Sequence, residues 1–229
     1  MSLTRADLEN DRLRKLFREA NPEVVMLSDA ELDASAKALL DEHQHGHDVW
    51  VFGYGSLIWN PIIQYAERRV GRIDGYHRHF CLWSHVNRGS MEKPGLVLGL
   101  DAGGTCHGVA FRIEAHLAQE ELRLLWRREM VLGSYCPCWV PVDAGGTTIR
   151  AITFVVNHRH SSYAGRLPLE TVIRTLVSTR GYLGTPAEYL LATVRGLVEH
   201  GVHDTYLMEL HERVLAMHPE LAAVPAPAP

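Results

Sequence analysis

The residues with the clearest capacity for chemistry lie in Gly53-Tyr54-Gly55-Ser56, directly after the stretch Val49–Phe52. Val49–Phe52 is made of β-branched and aromatic residues, which predicts a buried strand. Glycine adopts backbone angles that are closed to other residues, so a loop with two glycines can turn several N–H groups toward one point. Such a concavity binds an anion, or an oxygen on which charge develops. A turn that only ends the strand is the simpler interpretation, because short glycine motifs are weakly specific.

Glu129 is the second candidate, at the end of a helix predicted over residues 114–131. The helical period places Glu129 near the apolar face that includes Trp126. A carboxylate that faces inward is desolvated, which raises its pKa from about 4.3 toward the range of a base at neutral pH. The alternative is a surface glutamate that pairs with Arg127 or Arg128.

Other catalytic or metal-binding arrangements find little support in the sequence. Ser56 has no acid–histidine pair at informative spacing, and no nucleophile elbow, phosphate-binding loop, dinucleotide fingerprint or zinc-protease helix is present. Cys136-Pro137-Cys138 has one intervening residue, so we interpret these cysteines as packing residues. His43–His47 could bind a metal adventitiously, but a solvated hinge is the better interpretation. We therefore expect no metal and no cofactor.

Composition restricts the function classes further. The chain has 229 residues, 46% of them hydrophobic and 22% charged, with a formal charge of −4 and a pI near 6.4. These values are typical of a globular protein and give no reason to expect nucleic acid or an anionic membrane as a partner. No apolar run approaches the roughly 20 residues that span a bilayer. Residues 1–20 are rich in charge and lack the apolar core of a signal peptide, so we expect a cytoplasmic location.

Short strands alternate with helices along the rest of the chain. We predict a helix over residues 4–20 and a second one that starts at the capping box Ser28–Glu31. Asp101–Thr105 predicts a hairpin turn between two strands, and Asp143–Gly146 predicts another. The remaining predicted elements are strands at 49–52, 69–73, 76–84, 96–100, 106–113, 135–142 and 148–156, and helices at 168–180, 186–200 and 204–217.

This pattern predicts an α+β fold, and the many short strands fit a small closed or partly closed barrel better than a doubly wound parallel sheet. The expected organisation is an N-terminal helical extension at residues 1–47, a main domain at 48–217 and a disordered Pro/Ala tail at 218–229.

Two separated motifs resemble one known family. Phe52–Pro61 is similar to the signature loop of the ChaC family, the glutathione-specific γ-glutamylcyclotransferases, and Leu125–Met130 with Gly133 and Tyr135 resembles the segment that carries its catalytic glutamate. Leu96 is a departure, because many relatives have arginine after Pro-Gly, and this puts a substrate role for that position in doubt. Further similar segments are Gly75–Phe80, Pro94-Gly95, Gly108–Ala110, Gly184 and Tyr189-Leu190.

The resemblance implies a γ-glutamylcyclotransferase fold, which is a small mixed β-barrel flanked by helices. It also implies a lyase that cleaves glutathione to 5-oxoproline and cysteinylglycine. It assigns Glu129 as proton acceptor, and it places the substrate against the backbone of the glycine loop. It requires no metal, nucleotide or covalent intermediate, and no protein partner. The substrate-binding candidates are Phe52, Gly53, Tyr54, Gly55, Ser56, Leu57, Tyr135 and Tyr163.

Some roles stay open at this stage. Tyr135 and Tyr163 either orient Glu129 or the substrate amide, or they pack in the core. Arg78 either meets a substrate carboxylate or pairs with an acidic neighbour. The same base and loop suit other γ-glutamyl peptides or amines, with specificity set by the loops at 87–94 and 157–166. A non-catalytic regulator of cation transport is the alternative of a different class.

Overall fold

A closed barrel of five strands forms the centre of the molecule. The computed structural model describes residues 3–43 and 46–223. Around the barrel the strand order is β1-β3-β2-β4-β5, and β5 pairs with β1 in parallel while the other neighbours in this order are antiparallel. The predicted α+β class and small mixed barrel are therefore confirmed. The strands are β1 Val49–Gly53, β2 Glu67–Ser84, β3 Gly95–Ile113, β4 Tyr135–Asp143 and β5 Thr148–Val156.

The predicted hairpin turn at Asp101–Thr105 is wrong, because these residues lie inside the long strand β3. β3 pairs with β2 along almost its whole length, with Asp74 opposite Thr105 and Tyr76 opposite Ala102. Gly75 alone therefore faces Gly103 and Gly104, and all three glycines have positive φ, at 84°, 95° and 76°. The glycines form a β-bulge in a continuous ribbon rather than a turn.

Helices flank the barrel in the described part of the chain. The predicted single helix over residues 4–20 is divided at Asn10 and Asp11, where Asp11 takes a left-handed φ of 57°. The capping box at Ser28 is present as predicted. The helices are α1 Arg5–Glu9, α2 Arg12–Ala20, α3 Asp29–Asp41, α4 Ser56–Trp59, α5 Ala118–Glu129, α6 Leu169–Ser178, α7 Pro186–Glu199 and α8 Thr205–Met217.

The chain after α8 differs from the predicted tail in its first part. Pro219–Ala223 forms a 3₁₀ helix, and Leu221 packs against the main apolar cluster. Residues 224–229 of the predicted tail, and Gln44 and His45 of the predicted hinge, lie outside the described residues.

The N-terminal helices pack on α5 and on the chain that follows it. Arg5 forms an ion pair with the fully buried Glu121, with 2.8 Å between Nη1 and Oε2. The N–H of Leu27 donates to the carbonyl of Val131 at 2.9 Å. The extension is therefore built against the same helix that carries Glu129. Over the described residues, we find no helix with the length and apolar character that crossing a membrane requires.

Candidate active site

The glycine loop connects β1 to the short helix α4, and its glycines are needed for space. Neither Gly53 nor Gly55 takes a left-handed φ, and Gly55 lies at φ −134° and ψ −123°. A Cβ atom at Gly53 would lie 2.8 Å from the Cβ of Leu57, and one at Gly55 would lie 2.8 Å from the Tyr189 hydroxyl oxygen. Close contact with α4 and with α7 therefore excludes side chains at these two positions.

Hydrogen bonds made by Arg78 and Tyr54 fix the position of this loop. Arg78 donates from Nη1 to the Tyr54 carbonyl at 2.6 Å and pairs through Nε with Asp204 at 2.7 Å. The Tyr54 hydroxyl donates to the Phe154 carbonyl at 2.8 Å. The Arg78 side chain is 1% exposed and pairs with an acidic neighbour, so its position is that of the structural alternative.

The N–H groups of Ser56 and Leu57 lie in the first turn of α4. A helix leaves the N–H groups of its first turn without intrahelical acceptors, and Gly55 at the N-cap has no side chain to supply one. Ile58 uses the Gly55 carbonyl at 3.0 Å. The loop therefore presents backbone donors of the kind that the sequence predicts.

Glu129 is the last residue of α5, and 15% of its side-chain surface is exposed. Its Oε1 pairs with Arg128 Nε at 2.9 Å, and the Glu129 carboxylate has no further hydrogen bond or ion pair with any residue in the ranges 3–43 and 46–223. Burial raises the pKa of Glu129 above its ordinary value, while the positive charge and hydrogen bond of Arg128 act in the opposite direction. The carboxylate is thus paired with Arg128, as in the surface alternative, but it is largely buried.

Arg128 joins Glu129 to the glycine loop. Its Nη2 donates to the Ser56 hydroxyl at 2.7 Å and its Nη1 donates to the Asn60 carbonyl at 2.5 Å. The guanidinium is only 7% exposed. Sequence reasoning treated Arg128 only as a possible surface partner and missed this connection. The available signal was its position next to Glu129 in the segment that resembles the family motif.

A cavity of about 460 Å³ brings several of these residues together. Ser56, Glu129 and Tyr135 of the predicted set line it. The Tyr135 hydroxyl donates to the Leu98 carbonyl at 3.1 Å, and burial, followed by the charge of Glu129, raises the pKa of Tyr135 well above its ordinary value. Tyr135 is therefore placed in the same cavity as the candidate base.

The other predicted substrate-binding residues lie differently. The side chains of Phe52, Tyr54 and Leu57 are buried in apolar clusters, so only their backbone is available to a ligand. The Tyr163 hydroxyl donates to Asp101 at 2.7 Å. Its neighbours His160, Ser161 and Ser162 line the cavity, whereas Tyr163 itself is not among the lining residues. The geometry therefore gives no support to a direct role for Tyr163 at Glu129.

The cavity contains further residues that sequence reasoning did not propose. Tyr189, on α7, has its hydroxyl against Gly55, and burial raises its pKa to about 12. Arg88 is 6% exposed and donates to the carbonyl of Leu183 at 2.6 Å. Among the described residues, His85 Nδ1 and Asn87 Oδ1 are buried polar atoms without hydrogen-bond partners, and both residues line the cavity. Tyr189 had a sequence signal through its family-like segment, and Asn87 and Arg88 lie in the loop 87–94 that the sequence analysis assigns to specificity.

The structure explains the unusual Leu96 and corrects the predicted role of one cysteine. Leu96, where relatives often have arginine, is fully buried in the main apolar cluster. Cys138 is half-buried beside a cluster of strand residues, whereas Cys136 is exposed, so the packing interpretation fails for Cys136.

Within residues 3–43 and 46–223, no group of three or more His, Cys, Asp or Glu side chains is arranged to hold a metal ion.

Comparisons with known proteins agree with this geometry. A family model described as ChaC-like protein matches residues 49–217. The glutathione-specific γ-glutamylcyclotransferase of Escherichia coli K12 is 36% identical over 209 residues, which cover 91% of this chain and 90% of that protein. Glutathione-specific γ-glutamylcyclotransferase 1 of Homo sapiens is 36% identical over 148 residues, covering 62% of this chain and 67% of that protein.

Solved structures show the same fold. The crystal structure of a γ-glutamyl cyclotransferase specific to glutathione from yeast superposes with a TM-score of 0.69 at 22% identity, covering 74% of this chain and 96% of that chain. The structure of YkqA from Bacillus subtilis superposes with a TM-score of 0.51 at 20% identity, covering 84% of this chain and 60% of that one. The barrel with its flanking helices is therefore the γ-glutamylcyclotransferase fold.

Proposed function

This chain belongs to the ChaC-like protein family, and we propose that it is a glutathione-specific γ-glutamylcyclotransferase with Glu129 as its proton acceptor and donor. The observation that carries the proposal is the placement of Glu129, a buried carboxylate with one hydrogen-bond partner, in a cavity beside the glycine loop. The names of the bacterial and human relatives supply the substrate.

The reaction is an intramolecular ring closure. The α-amino nitrogen of the γ-glutamyl group attacks its own side-chain amide carbon, so a new C–N bond forms and the C–N bond to the cysteinyl residue breaks. Because nucleophile and electrophile belong to one molecule, holding the substrate folded supplies much of the rate enhancement. The products are 5-oxoproline and cysteinylglycine, and no oxidant, metal or second substrate enters the balance.

Glu129 handles the proton in this scheme. The attacking nitrogen loses a proton to the Glu129 carboxylate, and the departing amine nitrogen then receives that proton. A raised pKa suits the first step, because it makes the carboxylate a stronger base. The N–H groups of Ser56 and Leu57 are the donors that we propose to stabilise the oxyanion or to bind the α-carboxylate.

The cavity suits the charge and size of glutathione. Arg88 and Arg128 both line it, and because Arg128 already pairs with Glu129, Arg88 is the cation that favours a substrate carboxylate. The unpartnered atoms of His85 and Asn87 provide further polar groups for its amides. The volume of about 460 Å³ is within the range of roughly 300–1,000 Å³ of small-molecule sites.

Product identity tests the proposal. The purified protein, in EDTA, is incubated with glutathione and with N-acetylglutathione, and 5-oxoproline, glutamate and cysteinylglycine are quantified. We expect 5-oxoproline from glutathione only, because acetylation removes the nucleophilic amine. Free glutamate, cleavage of the acetylated peptide or a requirement for added metal would contradict the mechanism.

The same assay covers the alternatives. Faster cleavage of other γ-glutamyl peptides or amines than of glutathione would move the substrate assignment within the reaction class. Binding of glutathione without turnover would favour the non-catalytic role in cation transport. The proposal retains the cytoplasmic location, to be checked by cell fractionation, and the division into segments 1–47, 48–217 and 218–229, to be checked by limited proteolysis.

A further inference from the structure

Residues from the N-terminal extension line the same cavity as Glu129. We call this set the N-terminal wall, and all of its members precede residues 49–217, which the family model matches. Its members are Leu3, Leu13, Phe17, Asn21, Glu23, Val24 and Val25. The cavity that holds the candidate base is therefore completed by a part of the chain outside the family domain.

The N-terminal wall is fixed to the elements that carry the site. Asn60, whose carbonyl accepts from Arg128, donates from its side chain to the Leu3 carbonyl at 2.8 Å. Leu27 donates to the carbonyl of Val131, which follows Glu129 by two residues. These bonds connect the wall to both sides of the site, so its position relative to Glu129 is defined.

The wall contributes mainly apolar side chains to the cavity. Leu13 and Phe17 are buried in one cluster with Val131, and the partly buried Val24 and Leu132 pack against that cluster. All five residues also line the cavity, so the edge of the cluster forms part of the cavity surface. Val131 and Leu132 lie at most about 7–10 Å along the chain from Glu129. Apolar side chains therefore line the cavity close along the chain to the candidate base.

Glutathione alone does not account for this apolar surface, because its two ends are charged and its thiol is small. The cysteinyl sulfur is only a few bonds from the scissile carbonyl, and it is the atom at which an apolar group can be attached without changing the reacting groups. Resting on the proposed function, we infer that the N-terminal wall is a subsite for the sulfur substituent, and that this chain also cleaves S-alkyl glutathione conjugates. The bonds formed and broken are those of the parent reaction, and the products are 5-oxoproline and the S-alkyl cysteinylglycine.

Parallel kinetics with glutathione and S-hexylglutathione test the substrate class. We expect 5-oxoproline from both, with a KM for the conjugate no higher than that for glutathione, because burying the hexyl chain on the wall favours binding. Turnover of glutathione with no turnover of the conjugate would overturn this inference and leave the proposed function intact. Turnover of neither would overturn the proposed function itself.

Variants test the assignment to the wall. Phe17→Ala should lower the ratio of kcat/KM for S-hexylglutathione to that for glutathione at least fivefold, while Phe17→Leu restores most of it. The matched control is Leu8→Ala, because Leu8 is buried in the same cluster but does not line the cavity. We expect Leu8→Ala to leave the ratio unchanged. Equal ratios in the two alanine variants would overturn the assignment.

Val24→Asp keeps the test decisive if Phe17→Ala fails to fold. Val24 is half-buried in an irregular segment, so the substitution is tolerated more easily than one in the cluster interior. An apolar substituent that packs on the wall would remove water from the new carboxylate, which is unfavourable. We therefore expect the same selective loss of conjugate turnover. An unchanged substrate ratio in folded Val24→Asp protein would contradict the inference.

Discussion

Two largely buried carboxylates in this molecule have opposite environments. Glu129 accepts one hydrogen bond, from Arg128, and burial raises its pKa. Asp101, in β3, is also largely buried, with 11% of its side chain exposed, but it accepts hydrogen bonds from His79, His158, Tyr163 and the N–H of Ala102. Burial alone would raise the pKa of Asp101, yet the hydrogen bonds from Tyr163, His158 and His79 hold it well below its ordinary value.

The difference shows that the number of donors decides what a buried carboxylate does. Asp101 has its oxygens occupied, so it is a poor base and connects β2, β3 and the loop of Tyr163. Glu129 retains acceptor capacity and faces a cavity, so it can take a proton from a ligand. Burial alone therefore does not identify the catalytic group.

The strongest test of this comparison removes each charge in turn. Glu129→Gln should lower kcat/KM at least about a hundredfold, because loss of a general acid–base costs roughly 10²–10⁴ in rate. Asp101→Asn is the matched control, and we expect its activity to stay within about threefold of wild type. The measurement is 5-oxoproline formation at saturating and at low glutathione. Residual Glu129→Gln activity within tenfold of wild type would remove Glu129 as the base.

The pH dependence of activity should distinguish the two carboxylates, because their pKa values are shifted in opposite directions. With the pKa of Glu129 raised, its base form is lost as pH falls through that pKa, so kcat/KM should decline at a higher pH than an ordinary glutamate would cause. Proton loss from Asp101 is complete throughout this range. A pH–rate profile between about pH 4 and 8 checks this, and an acid limb below about pH 4.3 would contradict the raised pKa.

Crowding at the loop provides the next largest expected effect. Gly55→Val should lower kcat/KM at least about tenfold, because its Cβ would lie 2.8 Å from the Tyr189 hydroxyl and displace the loop or the ring. Ser56→Ala in the same loop should cost less than tenfold, because it removes one acceptor from Arg128 and leaves the backbone donors. A Ser56→Ala protein as inactive as Glu129→Gln would assign the hydroxyl a direct role in the chemistry.

Asp101→Asn should change activity least of these variants, but it should clearly lower the stability of the fold. Asp101→Asn should lower the free energy of unfolding at pH 7 by about 2 kcal/mol, because hydrogen bonds to a charged group are lost. A lowered native pKa stabilises the fold above the unfolded pKa of about 3.9, and this contribution is lost as pH falls below it. The Tm difference between Asp101→Asn and wild type should therefore shrink toward pH 3. A constant difference would contradict the charged-state explanation.

The sequence predicted local features well and long-range pairing poorly. Ser28 caps α3 as predicted, and Tyr135–Asp143 pairs with Thr148–Val156 as a hairpin, because both depend on residues close in the chain. Gly103 and Gly104 were interpreted as a turn because the same positive φ serves turns and bulges. The choice between them depends on Gly75, about thirty residues earlier, and no local pattern reveals that pairing.

The candidate site shows the same division. The loop and Glu129 were found because each is a local pattern with a recognisable family motif. The link through Arg128 to Ser56, and the contact of Tyr189 with Gly55, join residues far apart in sequence. Tyr163 was chosen for its residue type, and its hydrogen bond to Asp101 could not be inferred without knowing that β3 runs beneath its loop.

The parallel pairing of β1 with β5 has a consequence for how the protein acquires activity. Trp50 lies opposite Ala151, so the barrel closes only after about a hundred further residues of chain have been synthesised. Such a contact forms slowly, because the chain loses loop-closure entropy before the contacts that stabilise the barrel have formed. The glycine loop directly follows β1, which pairs with both β3 and β5, so we expect its backbone donors to be fully fixed when β5 closes the barrel. Recovery of activity during refolding should therefore coincide with the slowest structural phase rather than precede it.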